Sequence, residues 1–140
     1  MNDIIVTAVG NVASDVRRLD TAGGLPMAKF RIASSGRRFD KARGAWVDLP
    51  ATFVTVVCWR TLADNAARSL AKGDPVVVTG RLRSRTVERD GRSDTVHEIE
   101  ATSLGHDIAR GTTAFQRRHR DAAASGPASQ SSAGDLADAG

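Results

Sequence analysis

The stretch Asp74 to Arg85 constrains the fold of this chain more than any other. It reads Asp-Pro-Val-Val-Val-Thr-Gly-Arg-Leu-Arg-Ser-Arg, opened by proline and rich in β-branched residues, which favours a strand over a helix. Taken with period two, Val76, Val78, Gly80 and Leu82 share one face, and Val77, Thr79, Arg81, Arg83 and Arg85 share the other. The first face belongs against a core. The second carries three arginines about 7 Å apart, at twice the strand rise. That interval is close to the phosphate spacing of an extended nucleic-acid strand, yet a half-solvated strand kept soluble by its arginines has the same pattern. The rest of the chain must decide between the two.

Four more strands and one helix can be read in order. Ile4 to Gly10 is a continuous apolar run, expected to be buried on much of both faces. Val12 to Leu19 continues it past a bend, with Arg17 and Arg18 exposed, and Thr21 to Gly24 is a turn. Met27 to Ser34 alternates: Ala28, Phe30 and Ile32 inward, Lys29 and Arg31 outward. In Thr52 to Arg60, Val54, Val56 and Cys58 take one face and Phe53, Thr55, Val57 and Trp59 the other. Thr61 opens a weakened capping box with Asp64, starting a helix that Lys72-Gly73 ends. Arg89-Asp90-Gly91-Arg92 is an Asp-Gly hairpin turn flanked by arginines. Thr95 to Leu104 is the last strand, with His97, Ile99 and Ala101 opposite Glu98 and Glu100.

A single helix between strands three and four of a five-stranded antiparallel set is the layout of an OB-fold barrel, an all-β class. In that fold, strands two and three and two of the loops bind oligonucleotides. The outward cations and aromatics lie on those strands and the adjoining connections. Between Gly36 and Val47, a loop or loose hairpin, Arg37, Arg38, Lys41 and Arg43 interleave with Phe39 and Trp46. Phe53 and Trp59, on the outer face of the third strand, need a ligand or another subunit to cover them. The nucleic-acid contacts are therefore expected at Lys29, Arg31, Arg37, Arg38, Phe39, Trp46, Phe53, Thr55, Trp59, Arg81, Arg83, Arg85, Arg89 and Arg92.

Composition narrows the alternatives. Residues 1–110 are expected to form the domain, and the Gly/Ser/Ala/Asp-rich residues 111–140 a disordered tail. Arginine dominates the 20 cations, against 16 acids, and its planar fork suits phosphate better than a point charge does. The lone Cys58 excludes an internal disulfide and a cysteine-based zinc site. By parity it reads as a small buried hydrophobe, with a redox-active or intersubunit thiol as the alternative. His97, His106 and His119 are too scattered for a metal site, and no catalytic motif is present, so neither an enzyme nor a cofactor is expected. With no membrane-length apolar run and no signal segment, a soluble cytoplasmic protein without a membrane partner is expected.

Together these residues carry a resemblance to bacterial single-stranded DNA-binding proteins, the SSB family, over roughly residues 3 to 108. The matching pieces are Val9-Gly10-Asn11, Phe39-Asp40-Lys41 through Gly44-Ala45-Trp46, Phe53 to Trp59 with Leu62-Ala63, and Lys72-Gly73-Asp74-Pro75-Val76 to Gly80-Arg81-Leu82. The chain is most similar to the shorter, second paralogue of some actinobacteria. The resemblance implies a nucleoid-associated homotetramer, with a dimer as the alternative, that wraps single strands over aromatic platforms. By position Phe53 and Trp59 match stacking aromatics, the region of Arg38 and Phe39 matches a third stacking site, and a fourth falls on Val87, which cannot stack. The last residues, Gly134 to Gly140, lack the acidic, hydrophobic tip of replicative members, which argues against recruiting proteins through the tail. The basic stem Arg117-Arg118-His119-Arg120 adds unspecific phosphate contact.

The function expected is sequence-tolerant binding and protection of single-stranded DNA in replication, recombination or repair. A protein-docking OB module anchored by Phe53 and Trp59, or an RNA-binding OB-fold, are the alternatives.

Overall fold

The computed structural model describes residues 2–117. Its elements run β1 (Ile5–Val12), β2 (Arg17–Asp20), β3 (Pro26–Ser34), β4 (Arg37–Asp40), β5 (Ala45–Asp48), β6 (Thr52–Trp59), α1 (Arg60–Ser69), β7 (Pro75–Arg89) and β8 (Arg92–His106). Strands β1, β7, β8, β6 and β3 are neighbours in that order, and β3 pairs back onto β1 through Asn11↔Ala33 and Val12↔Ile32. The five strands thus close on themselves, the OB-fold ring, through a short seam of two residue pairs between β1 and β3. The β6–β8 pairing is parallel and the others are antiparallel. Short β2 extends the sheet along β3, and β4–β5 is a separate hairpin where the sequence suggested a loop or loose hairpin.

Two glycines let the ring close. A Cβ on Gly10 would strike the Ala33 carbonyl at the β1–β3 seam. One on Gly80 would lie 2.8 Å from the Ala101 Cα, where β8 bulges against β7. The bulge leaves the parity of β7 intact, so Val76, Val78 and Gly80 are buried as their alternation requires. They join Val12, Ala28, Phe30, Ile32, Val56, Cys58 and Ile99 in the core, with Ala63 and Ala66 of α1 packed among them. The β7–β8 turn places Asp90 (φ 53) and Gly91 (φ 74) in the left-handed region, as a two-residue hairpin of this type needs.

Three expectations are corrected. The first strand is one-faced: Val6 and Ala8 pack against the core, whereas Ile4, Ile5 and Val9 are exposed. Its apolar run overstated burial because the ring offers a core on only one side. Thr61 does not cap the helix; α1 starts immediately after Trp59 without a side-chain cap. Asp64, the other half of the expected box, instead accepts from Arg18 Nε at 2.7 Å. The helix also stops at Ser69, before Lys72-Gly73, and Gly73 (φ 99) lies in the turn into β7. There Asp74 Oδ2 accepts from the Ala71 N–H at 3.0 Å and meets His106 Nε2 at 3.1 Å. The Ala71 amide first, and His106 second, hold this carboxyl below its ordinary range.

Candidate nucleic-acid interface

The strand order brings onto one surface residues that are far apart in sequence. Cross-strand partners share a face, so the register can be followed around the ring. One row runs Arg17–Lys29–Val57–Glu100–Arg81–Ile5 across β2, β3, β6, β8, β7 and β1. The next runs Arg31–Thr55–Glu98–Arg83 across β3, β6, β8 and β7. Phe53, Trp59 and Arg85 stand on the same face by strand parity. Lys29, Arg31, Phe53, Thr55, Trp59, Arg81, Arg83 and Arg85 therefore belong to one continuous outer surface.

Its centre is a cation against a ring. The Arg31 guanidinium carbon lies 4.7 Å from the centroid of Phe53, within cation–π range. Phe53 is still 53% exposed, so one ring face is held by the arginine while much of the rest is open. A ring fixed in this way offers a preordered surface to another planar group. Trp59, at the far end of β6, is half-buried and walls a shallow depression with Leu25, Arg60, Arg81, Glu100 and Thr102.

The arginine row differs from its appearance in the sequence. Arg81 is ion-paired with Glu100 and lies 4.0 Å from Asp3. Arg83 approaches Glu100 at 3.6 Å, and Arg85 donates to Glu98 at 2.8 Å. Lys29 reaches Glu98 from the other side at 4.0 Å. The outward glutamates of β8 thus stand between two sets of cations. The sequence does not reveal them as part of the site, because nothing local shows that β8 inserts between β6 and β7. Arg17 is likewise hidden in the sequence; only the pairing of four-residue β2 with β3 puts it beside Lys29.

The remaining expected residues sit on two hairpins rather than on the ring face. In β4–β5, Phe39 and Trp46 are cross-strand partners with centroids 5.5 Å apart and planes at 72°, an edge-to-face pair. Both rings stay substantially exposed. Arg37 shares their side and is paired with Asp48 at 3.2 Å, whereas Arg38 stands opposite Val47 on the reverse side. Arg89 and Arg92 face each other across the β7–β8 tip. Like charges in that position repel, so the tip favours an anion between or beside them. Cys58 is fully buried, and burial pushes its thiol up to about 12, which makes it a core residue rather than a reactive one. Among the described residues no group of acids, histidine and cysteine could hold a metal, and no helix is long and apolar enough to cross a membrane. The stem residues after Arg117 lie outside the described residues.

Residues 1–107 match the Single-strand binding protein family. The chain belongs to that family. Its sequence is 48% identical over 127 residues to Single-stranded DNA-binding protein 1 of Streptomyces coelicolor, covering 91% of this chain and 81% of that one. It is 45% identical over 117 residues to Single-stranded DNA-binding protein 2 of Streptomyces avermitilis, covering 84% and 73%. Among solved structures it is similar to the small single-stranded DNA-binding protein from Streptomyces coelicolor, at TM-score 0.72 and 50% identity, over 79% of this chain and all of that one. The second such protein from Mycobacterium smegmatis gives 0.65 and 32% identity, over 83% of this chain. The relatives are actinobacterial, as the resemblance implied.

Proposed function

We propose that this family member binds single-stranded DNA without sequence preference, in replication, recombination or repair, and does so on the outer face of β3, β6 and β7 together with the two hairpins. The observation that carries the assignment is Phe53, braced by Arg31 on one side and open on the other. A base stacking on the open side completes a sandwich, and every base has a suitable face, so the contact is sequence-tolerant. Trp59 and the Phe39–Trp46 pair supply further platforms. Arg38, Arg89 and Arg92, which form no ion pair among the described residues, contact the sugar-phosphate chain, as do the cations of the ring face.

The protein acts as a homo-oligomer, a tetramer by the family resemblance. What supports assembly is the exposed pair Ile5 and Val9 on the outer face of β1, with exposed Ile4 just before the strand, apolar surface that one ring leaves uncovered. Residues 1–110 are the binding unit, and the segment beyond is dispensable for it.

Titration of intrinsic tryptophan fluorescence with unstructured oligothymidine tests the reading. Saturable quenching that rising salt weakens is expected, and a matched oligouridine should compete less well. An absence of binding at low salt would reassign Phe53 and Trp59 to a protein interface.

A further inference from the structure

We infer that Glu98 and Glu100 act as built-in competitors of the phosphate chain, occupying the cations of the binding face until a strand displaces them. The inference rests on the nucleic-acid reading of that face and adds a brake to it.

Both carboxylates are outward on β8, directly beside the cations of β7 and one strand, β6, removed from those of β3. Glu98 lies within ion-pair range of Lys29 and Arg85, and Glu100 of Arg81 and Arg83. Four of the five cations Lys29, Arg31, Arg81, Arg83 and Arg85 are thus already partnered, and the fifth sits on Phe53. The contacts are poorly suited to permanence. Arg81 and Arg83 both approach the same oxygen of Glu100, Oε1, and no Arg–Glu pair on the face is a two-point fork. Arg81 Nε, out of reach of solvent, has no acceptor at all. Arginines held to their glutamate by a single point can turn to phosphate oxygens without crossing the face, Arg81 keeping a second acid, Asp3, at 4.0 Å. After that exchange the two carboxylates remain beside the strand, their charge repelling it. They therefore reduce affinity and cancel part of the counterion release that the cations would otherwise give.

The opposite role is that the glutamates only position the arginines, in which case removing them weakens binding. Glu98→Gln and Glu100→Gln separate the two roles, because the amide oxygen still accepts a hydrogen bond while the charge is lost. Binding of the full chain and of each variant is measured for oligothymidine and for inorganic polyphosphate across a salt series, with circular dichroism as the check on folding. Each substitution is expected to tighten binding of both polymers by about two- to five-fold at low salt, the size of one partly exposed ion pair. The logarithmic salt slope should steepen by up to ~0.7 for each cation released. Weaker or unchanged binding by both folded variants would overturn the competitor role. If one variant does not fold, the other still decides the sign. The polyphosphate arm keeps the two readings apart. If the parent binds oligothymidine no better than polyphosphate, the stacking assignment fails, while the ranking of variants on polyphosphate still judges the carboxylates.

Discussion

Phe53 on β6 and Ile5 on β1 are exposed to nearly the same degree, 53% and 60%, on the outer surface of the same ring. Their surroundings differ. Phe53 has Arg31 on its face and Lys29, Thr55 and Glu98 nearby in the register, whereas the outer face of β1 continues through Thr7 and Val9, opposite Thr79 and Val77. Thr7 and Thr79 satisfy each other through a 2.8 Å hydroxyl contact, and no cation follows on β1. Apolar exposure alone thus says only that a partner is needed. Interleaved cations select a polyanion with planar groups, and their absence favours another apolar surface, the second copy proposed above. Arg81 marks the frontier, directly opposite Ile5 on one side and Glu100 on the other.

The largest effect should come from putting charge where there is none. Val9→Lys is expected to break assembly, shifting sedimentation at micromolar concentration from a multimer to a species near 14.8 kDa. Binding of a strand short enough for one ring should survive. If short-strand binding disappears as well, the two regions are not independent.

Next in size is loss of stacking. Phe53→Ala or Trp59→Ala should weaken oligothymidine binding by roughly 1–3 kcal/mol per stacked base, with little change in salt slope and none in assembly. Both variants folding and binding as well as the parent would erase the distinction between the two faces.

Smaller again are the single-arginine changes. Arg89→Ala or Arg92→Ala should flatten the logarithmic salt slope by up to ~0.7 each. Arg83→Ala should flatten it by no more than that and cost additional affinity, because it leaves Glu100 less compensated; salt-series titrations give both readouts. Equal effects at the hairpin tip and on the ring face would argue that the glutamates do not matter. The smallest change is expected from Val87→Trp, which restores a ring at the position where the resemblance places a fourth stacking site. Affinity should stay level or rise slightly, and a clear loss would remove that position from the path of the strand.

Local alternation was enough to read much of this. The buried face of β7, the inward Ala28, Phe30 and Ile32, and the Asp-Gly hairpin all follow from period two and turn chemistry, which act over a few residues. The same parity put Phe53, Thr55 and Trp59 outward on β6 and the arginines outward on β7. The order strand, strand, strand, helix, strand, strand was sufficient for the OB class. Beyond hairpin neighbours, sequence could not show which strands lie side by side, because pairing is decided by ring closure between segments as far apart as Ile5 and Arg81. Closure placed β8 between β6 and β7 and so brought Glu98 and Glu100 among the cations. It also bared one side of an apolar first strand, since a single ring has only one interior. Asp64 was drawn from its expected cap to Arg18 on β2, a partner 46 residues away that no local rule could supply. Alternation determined which way each side chain points; only the tertiary structure decided what it meets there.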